Sequence, residues 1–246
     1  MSHWSERYDS MAAAVFGRSL PSDVRHLYYL MSDYPKDSVW FDKCYKALLG
    51  VEYEYVEQLL QQAKDTGIIG DLVEFGIWRG AWINVFYDIT TRVGLERKIW
   101  GFDSFAGLSK PHEKYDTTGY WKEGMYAASR AEVEEQVQAK NCPRIRLVEG
   151  FFRESLKTPE AQSLGPVCFA RIDCDIYEPA LDCLSFLSSR LSDGAILVFD
   201  DWEFFSPDFG ETRAFFEWVK TVPHLRFEYL SLGPWGHLYL RGRHQR

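Results

Sequence analysis

Several features that mark large classes of protein are scarce or missing in this sequence. No apolar run approaches the roughly 18 residues that a membrane-spanning helix needs, and the opening MSHWSERYDS is polar rather than leader-like. No membrane partner and a cytoplasmic location are therefore expected. Cys44, Cys142, Cys168, Cys174 and Cys183 are odd in number, form no Cys-x-x-Cys pair and sit mostly in apolar stretches, which predicts free buried thiols in a reducing compartment. The six histidines lack H-x-x-H or H-E-x-x-H spacing, which argues against zinc. Basic charge is in deficit: 28 Lys and Arg against 36 Asp and Glu leave a net charge of -8. Such a surface disfavours a nucleic-acid backbone as partner and suits a small or neutral substrate. The sequence also lacks a Gly-x-Ser-x-Gly elbow, a phosphate loop and the dinucleotide fingerprint G-x-G-x-x-G, against hydrolase, kinase and nicotinamide chemistry.

What is present fits one α/β domain. The 246 residues are 46% hydrophobic and 26% charged, enough for an ordinary core. Residues 1–50 are aromatic-rich, punctuated by Pro21, Pro35 and Gly50, and suggest short helices. EYVEQLLQQAK (54–64) places Tyr55, Val56, Leu59, Leu60 and Ala63 on one helical face. DLVEFGIWRG gives a short apolar strand that runs into a glycine turn, the strands KIWGFDSF, RIRLVEGFF, VCFARIDCD and GAILVFDD then alternate with helical segments, and RFEYLSL and GHLYLRG flank GPWG as a closing hairpin. Apolar strands alternating with helices predict a doubly wound, mostly parallel sheet, whose ligands bind beyond the carboxyl ends of its strands.

The chemistry-bearing residues gather at those ends. Glu74-x-Gly76-x-x-x-Gly80 lies between the first strand and its helix, where glycines let backbone approach a ligand; a tight strand-to-helix turn is the plainer reading. Asp103 ends the second strand, where a carboxylate can accept from both hydroxyls of a ribose or simply cap the turn after it. Asp173, Asp175, Asp200 and Asp201 crowd two strand tips. Ionised carboxylates so close repel unless a cation compensates, and a hard ion such as Mg²⁺ does so best. The doublet Asp200-Asp201 equally admits one ligand and one helix cap. His237 reads as structural in preference to catalytic, and Tyr120, Trp121, Tyr126, Trp202 and Trp235 are candidates for an acceptor wall.

IGDLVEFGIWRGA, IWGFDSFAGLS, LVEGFFRESL, RIDCDIYEPALDCL and LSDGAILVFDDW, in this order, resemble the macrocin O-methyltransferase family. The resemblance implies a Rossmann-like methyltransferase with a seven-stranded sheet, an antiparallel C-terminal hairpin strand and a helical N-terminal segment. It divides the chain into residues 1–66, a lid or dimer surface, and 67–246, the S-adenosylmethionine domain. It further implies that Glu74, Gly76 and Gly80 line the methionine end of S-adenosylmethionine, that Asp103 holds the ribose with Ser104 and Phe105 nearby, and that Gly150 and Phe151 flank the adenine. Asp173, Asp200 and Asp201 would bind Mg²⁺, Asp173 also bordering the cofactor, and Asp175 would be the general base. A homodimer methylating the hydroxyl of a small natural product, a sugar or a phenol, is the expected whole. Cys174 stands where glycine is common in the family, and residues 1–50 match it weakly. An N- or C-methyltransferase without metal and a non-catalytic binding protein are the alternatives.

Overall fold

Every residue of IWGFD and VCFARI is buried, as is all of DLVEF except its first residue, so these segments must be covered on both faces. The computed structural model describes residues 39–117, 119–137, 141–202, 207–233 and 236–245, with side chains from residue 50 onward. In chain order the elements are α1 (Val39–Asp65), β1 (Asp71–Phe75), α2 (Ala81–Arg92), β2 (Ile99–Asp103), α3 (Arg130–Gln136), β3 (Ile145–Glu149), α4 (Phe152–Ser155), α5 (Pro159–Gln162), β4 (Val167–Ile172), α6 (Tyr177–Leu187), β5 (Leu191–Phe199), α7 (Gly210–Trp218), β6 (Leu225–Leu232) and β7 (Leu238–His244). The sheet order is β3-β2-β1-β4-β5-β7-β6. β7 runs antiparallel to both its neighbours and the other pairings are parallel, which is the expected seven-stranded fold.

Two buried clusters cover the sheet. On one face Phe75, Phe102 and Phe199 pack with Leu184, Phe186 and Phe215 from α6 and α7. On the other, Leu72, Ile99 and Phe169 meet Val56 and Leu60 of α1, Ile83 and Phe86 of α2, and Val133 of α3. Each large apolar side chain buried this way contributes about 1.5–3 kcal/mol. The C-terminal part of α1 is therefore one of the layers covering the sheet. That helix begins well before the expected Glu54 and runs through Gly50, because a single exposed glycine costs a helix only about 1 kcal/mol, less than the buried stripe after it returns. Of residues 1–66, expected to form a lid or dimer surface, residues 1–38 lie outside the described residues.

Cys168, Cys174 and Cys183 are buried and free and Cys142 is half-buried and free, as the sequence predicts; the side chain of Cys44 lies outside the described residues. Trp202 differs from expectation. It is fully buried among Phe199, Phe215 and Phe216, a core residue instead of a pocket wall. Trp235 lies outside the described residues. Among the described residues no helix is long and apolar enough to cross a membrane.

The chain order around β1 places the switch point between β1 and β4, where successive connections leave in opposite directions. Gly76 lets these strands stay close at that point. Its φ is +80°, and a Cβ there would lie 1.8 Å from the carbonyl oxygen of Asp173. Gly76→Ala is therefore expected to lower the melting temperature by about 6–12 °C, equivalent to about 3 kcal/mol for a chain of this size. Calorimetry checks this, and a loss of less than about 2 °C would mean that the two strand tips separate freely.

Candidate active site

A cavity of about 540 Å³ opens at the carboxyl ends of the strands. Gly76, Asp103, Asp173, Asp175, Asp200 and Asp201 lie along its inner side. Four of the large hydrophobic residues that remain exposed, Trp78, Tyr120, Tyr126 and Phe151, also line it. Trp78 and Tyr126 meet edge to face at 5.7 Å, and Trp121 packs on Tyr126 at 6.0 Å. Backbone strain concentrates in the same place. Four described non-glycine residues have positive φ, namely Trp78, Phe105, Tyr126 and Asp175, and all lie in the loops of this rim.

Asp103 ties the glycine turn to β2. Its Oδ2 accepts from the amides of Ile77 (2.8 Å) and Trp78 (3.0 Å), and its Oδ1 from that of Phe105 (2.7 Å). Burial raises its pKa, and these three amides oppose the rise. Gly80 serves packing: a Cβ there would fall 2.3 Å from Cγ1 of Val137, so the glycine lets the start of α2 sit against the α3 segment.

Arg171, inside the apolar strand β4, is the cation around which the acidic groups sort themselves. Buried at 4% exposure, it reaches Glu74 on β1 (3.5 Å), Asp173 beyond β4 (3.1 Å) and, closer still, Oδ1 of Asp200 beyond β5. Its guanidinium also lies 4.8 Å from the ring centre of Trp82. His237 adds a second cation: Nε2 is 2.8 Å from the same Oδ1 of Asp200, and Nδ1 is 2.5 Å from Glu52 of α1, which also accepts from the Tyr239 hydroxyl. Burial alone would raise the pKa of Asp200, but Arg171 and His237 hold it well below the usual carboxylate range. His237 is pushed up to about 10, burial opposing and Asp200 and Glu52 prevailing. Glu74, buried and only partly compensated by Arg171, is pushed up to about 8.

Asp173, Asp175 and Asp201 are compensated less. Among the described residues they form one group whose offered oxygens all lie within 4.8 Å of one another. Burial first, and each other's or Asp200's charge second, raise all three, Asp201 to about 7. The buried Oδ2 of Asp201 has no hydrogen-bond partner among the described residues. An all-oxygen donor set with surplus negative charge and an orphaned buried oxygen fits a hard divalent cation.

Of the residues singled out in the sequence, the cavity brings together Gly76, Asp103, Ser104, Phe151, Asp173, Asp175, Asp200 and Asp201. Glu74, Gly80, Phe105 and Gly150 are not among its lining residues; Glu74 faces Arg171 and Gly80 faces Val137. Asp200 stands apart from the group of three, since Arg171 and His237 both engage its Oδ1. Besides polar lining residues such as Lys110, Glu178 and Asp182, three charged residues behind the cavity escaped the sequence reading: Arg171, Glu52 and Glu211. Each had the same signal, a charge on an apolar stripe. Arg171 interrupts VCFARI, Glu52 precedes Val56 and Leu59 at helical spacing, and Glu211 precedes Phe215 and Trp218 in the same way.

A family model described as Macrocin-O-methyltransferase (TylF) matches residues 47–220. The 8-demethyl-8-(2,3-dimethoxy-alpha-L-rhamnosyl)-tetracenomycin-C 4'-O-methyltransferase of Streptomyces olivaceus is 31% identical over 55% of this chain and 54% of its own length. The demethyldecarbamoylnovobiocin O-methyltransferase of Streptomyces niveus is 28% identical over 63% of this chain and 62% of its own. The match thus spans less than two thirds of the length of either relative. The solved structure of the O-methyltransferase NovP superposes with a TM-score of 0.67 at 23% identity, over 79% of this chain and 80% of that one, a likeness of fold.

The His237 pairing generates a pH signature. A histidine whose pKa is raised from 6.5 to about 10 adds stability that is complete below about pH 6.5 and is lost as pH rises through about 10. The melting temperature of the wild type is expected to fall more steeply between pH 7 and 10 than that of His237→Gln. Parallel slopes in scanning calorimetry would show that the ring is neutral in the folded protein.

Proposed function

Because this chain belongs to the macrocin O-methyltransferase family, by the match across residues 47–220, we propose that it transfers the methyl group of S-adenosylmethionine to a hydroxyl of a small natural product, a sugar or a phenol. The observation that carries the reading is the pairing of a switch-point cavity with three under-compensated carboxylates, Asp173, Asp175 and Asp201, on its inner wall. Displacement at a sulfonium methyl requires the attacking oxygen at about 3 Å and in line with the leaving sulfur, so positioning is the protein's main task.

Asp103 has lone pairs left after its three amide bonds and faces the cavity, which suits it to ribose hydroxyls, while Ser104 and Phe151 border the same space. Asp173, Asp175 and Asp201 would hold the divalent cation, Mg²⁺ by the chemistry of the donors, with Asp200 fixed beside them by Arg171 and His237. A cation bound there would lower the pKa of an acceptor hydroxyl and fix its direction. Asp175 lines the same cavity and would take the hydroxyl proton. Its strained backbone, φ +61°, is the kind of over-determined conformation that functional residues keep. The aromatic groups Trp78, Tyr120, Trp121 and Tyr126 wall the mouth and give the acceptor a flat apolar surface while shedding water. A homodimer belongs to the same proposal, supported by the family likeness and by the aromatic-rich N-terminal segment, for which a lid is the alternative role.

Release of S-adenosylhomocysteine in the presence of glycosylated aromatic acceptors tests the reading. Activity is expected to vanish in EDTA and return with Mg²⁺, and Asp201→Asn should lower kcat by on the order of 100-fold. Affinity for S-adenosylhomocysteine, measured by calorimetry, should change less than about threefold in the same variant. Full turnover in EDTA would rule out the cation.

A further inference from the structure

We propose that Glu211 is a positioning residue that fixes the spacing of the cation-binding carboxylates by clasping the backbone of both strand tips from the start of α7. The proposal rests on the cation reading given above. Glu211 is buried at 1% exposure, and its carboxylate turns away from its own helix. Oε1 accepts from the amides of Cys174 (2.6 Å) and Asp175 (3.1 Å) beyond β4, and Oε2 accepts from the amide of Asp201 (3.4 Å) beyond β5. One side chain therefore spans the tips that carry Asp173, Asp175 and Asp201.

The neighbours of Glu211 on α7 reinforce the clasp. The Thr212 hydroxyl donates to the carbonyl of Trp202 at 2.8 Å, holding the chain just after Asp201. A Cβ on Gly210 would come within 3.1 Å of the Asp175 carbonyl, so the start of the helix lies directly against the strained residue. Asp175 is held at φ +61°, a conformation a non-glycine residue keeps only when its surroundings impose it, and its amide is one of the three that Glu211 receives.

Electrostatics makes the choice of residue informative. Burial and the neighbouring charge of Asp201 push the Glu211 carboxyl well above the usual carboxylate range, so an acid at this position is unfavourable in itself. What offsets it is three backbone donors that would otherwise be buried without partners. Glutamine matches the shape of Glu211 but only one of its two terminal atoms accepts. It can keep the two bonds to the β4 tip while losing the bond to Asp201, which separates a hold on one tip from the span across both.

The test compares wild type, Glu211→Ala and Glu211→Gln, using Mn²⁺ affinity by calorimetry and amide exchange across residues 173–176. The alanine variant is expected to bind Mn²⁺ at least about tenfold more weakly, as loss of an outer partner of metal ligands usually does, and the glutamine variant, which keeps the β4 bonds but loses the one to Asp201, to fall between alanine and wild type. The 173–176 amides should exchange at least about tenfold faster in Glu211→Ala and near the wild-type rate in Glu211→Gln. Affinity for S-adenosylhomocysteine should be unchanged in both. Equal Mn²⁺ binding by Glu211→Ala and wild type, or equal weakening in Ala and Gln, would overturn the positioning role while leaving the cation site standing. Wild-type protein that takes up no Mn²⁺ would remove the cation site itself, and the proposal with it, whatever the amide exchange shows about the clasp.

Discussion

A single buried guanidinium holds the end of the sheet together. Arg171 stands in the middle of an apolar strand and touches carboxylates from three adjacent strands: Glu74 on β1, Asp173 beyond β4 and Asp200 beyond β5. Taking such charges out of water is expensive, and removing one partner of a buried set usually destabilises by about 3–5 kcal/mol because the others are left uncompensated. The carboxyl ends of these strands are thereby fixed in register at the place where the cavity opens. Glu52 and His237 extend the network to α1, so the helix that covers one face of the sheet is also wired to the site.

This arrangement divides a crowd of like charges into two populations. Asp200 is matched by two cations, and Glu74 is partly matched by one. Asp173, Asp175 and Asp201 share what compensation remains, and it is insufficient: burial and mutual repulsion push all three toward the protonated state. A half-buried site with surplus negative charge and an orphaned oxygen suits a positive charge.

Aromatic side chains divide in a parallel way. Phe75, Phe102, Phe199, Trp202 and Phe215 are interior and hold the layers together, whereas Trp78, Tyr120 and Tyr126 remain exposed around the mouth. Loop residues with aromatic side chains can go either way, and neighbouring sequence does not decide which. Trp202, one residue past Asp201, goes inward because α7 and β5 supply a pocket of phenyl rings for it. Trp78 stays outward because the strained turn after Gly76 carries it beyond the carboxyl end of β1, against Tyr126.

Much of the fold was legible in the residues alone. Continuous apolar strands alternating with amphipathic helices can only be buried on both faces, and that requirement gives a doubly wound sheet whose strand ends collect Asp103, Asp173, Asp175, Asp200 and Asp201. Periodicity determines which face of an element is apolar, so the convergence of these carboxylates on one rim followed from order and spacing. It does not determine how charges pair across elements far apart in the chain. Glu52 and His237 are separated by 185 positions, and Cys174 and Glu211 by 37. Only the packed structure could assign Asp200 to Arg171 and His237, leave Asp173, Asp175 and Asp201 grouped, and turn Glu211 onto the strand tips, because the energy of a buried charge depends on which partners folding brings within a few ångströms of it.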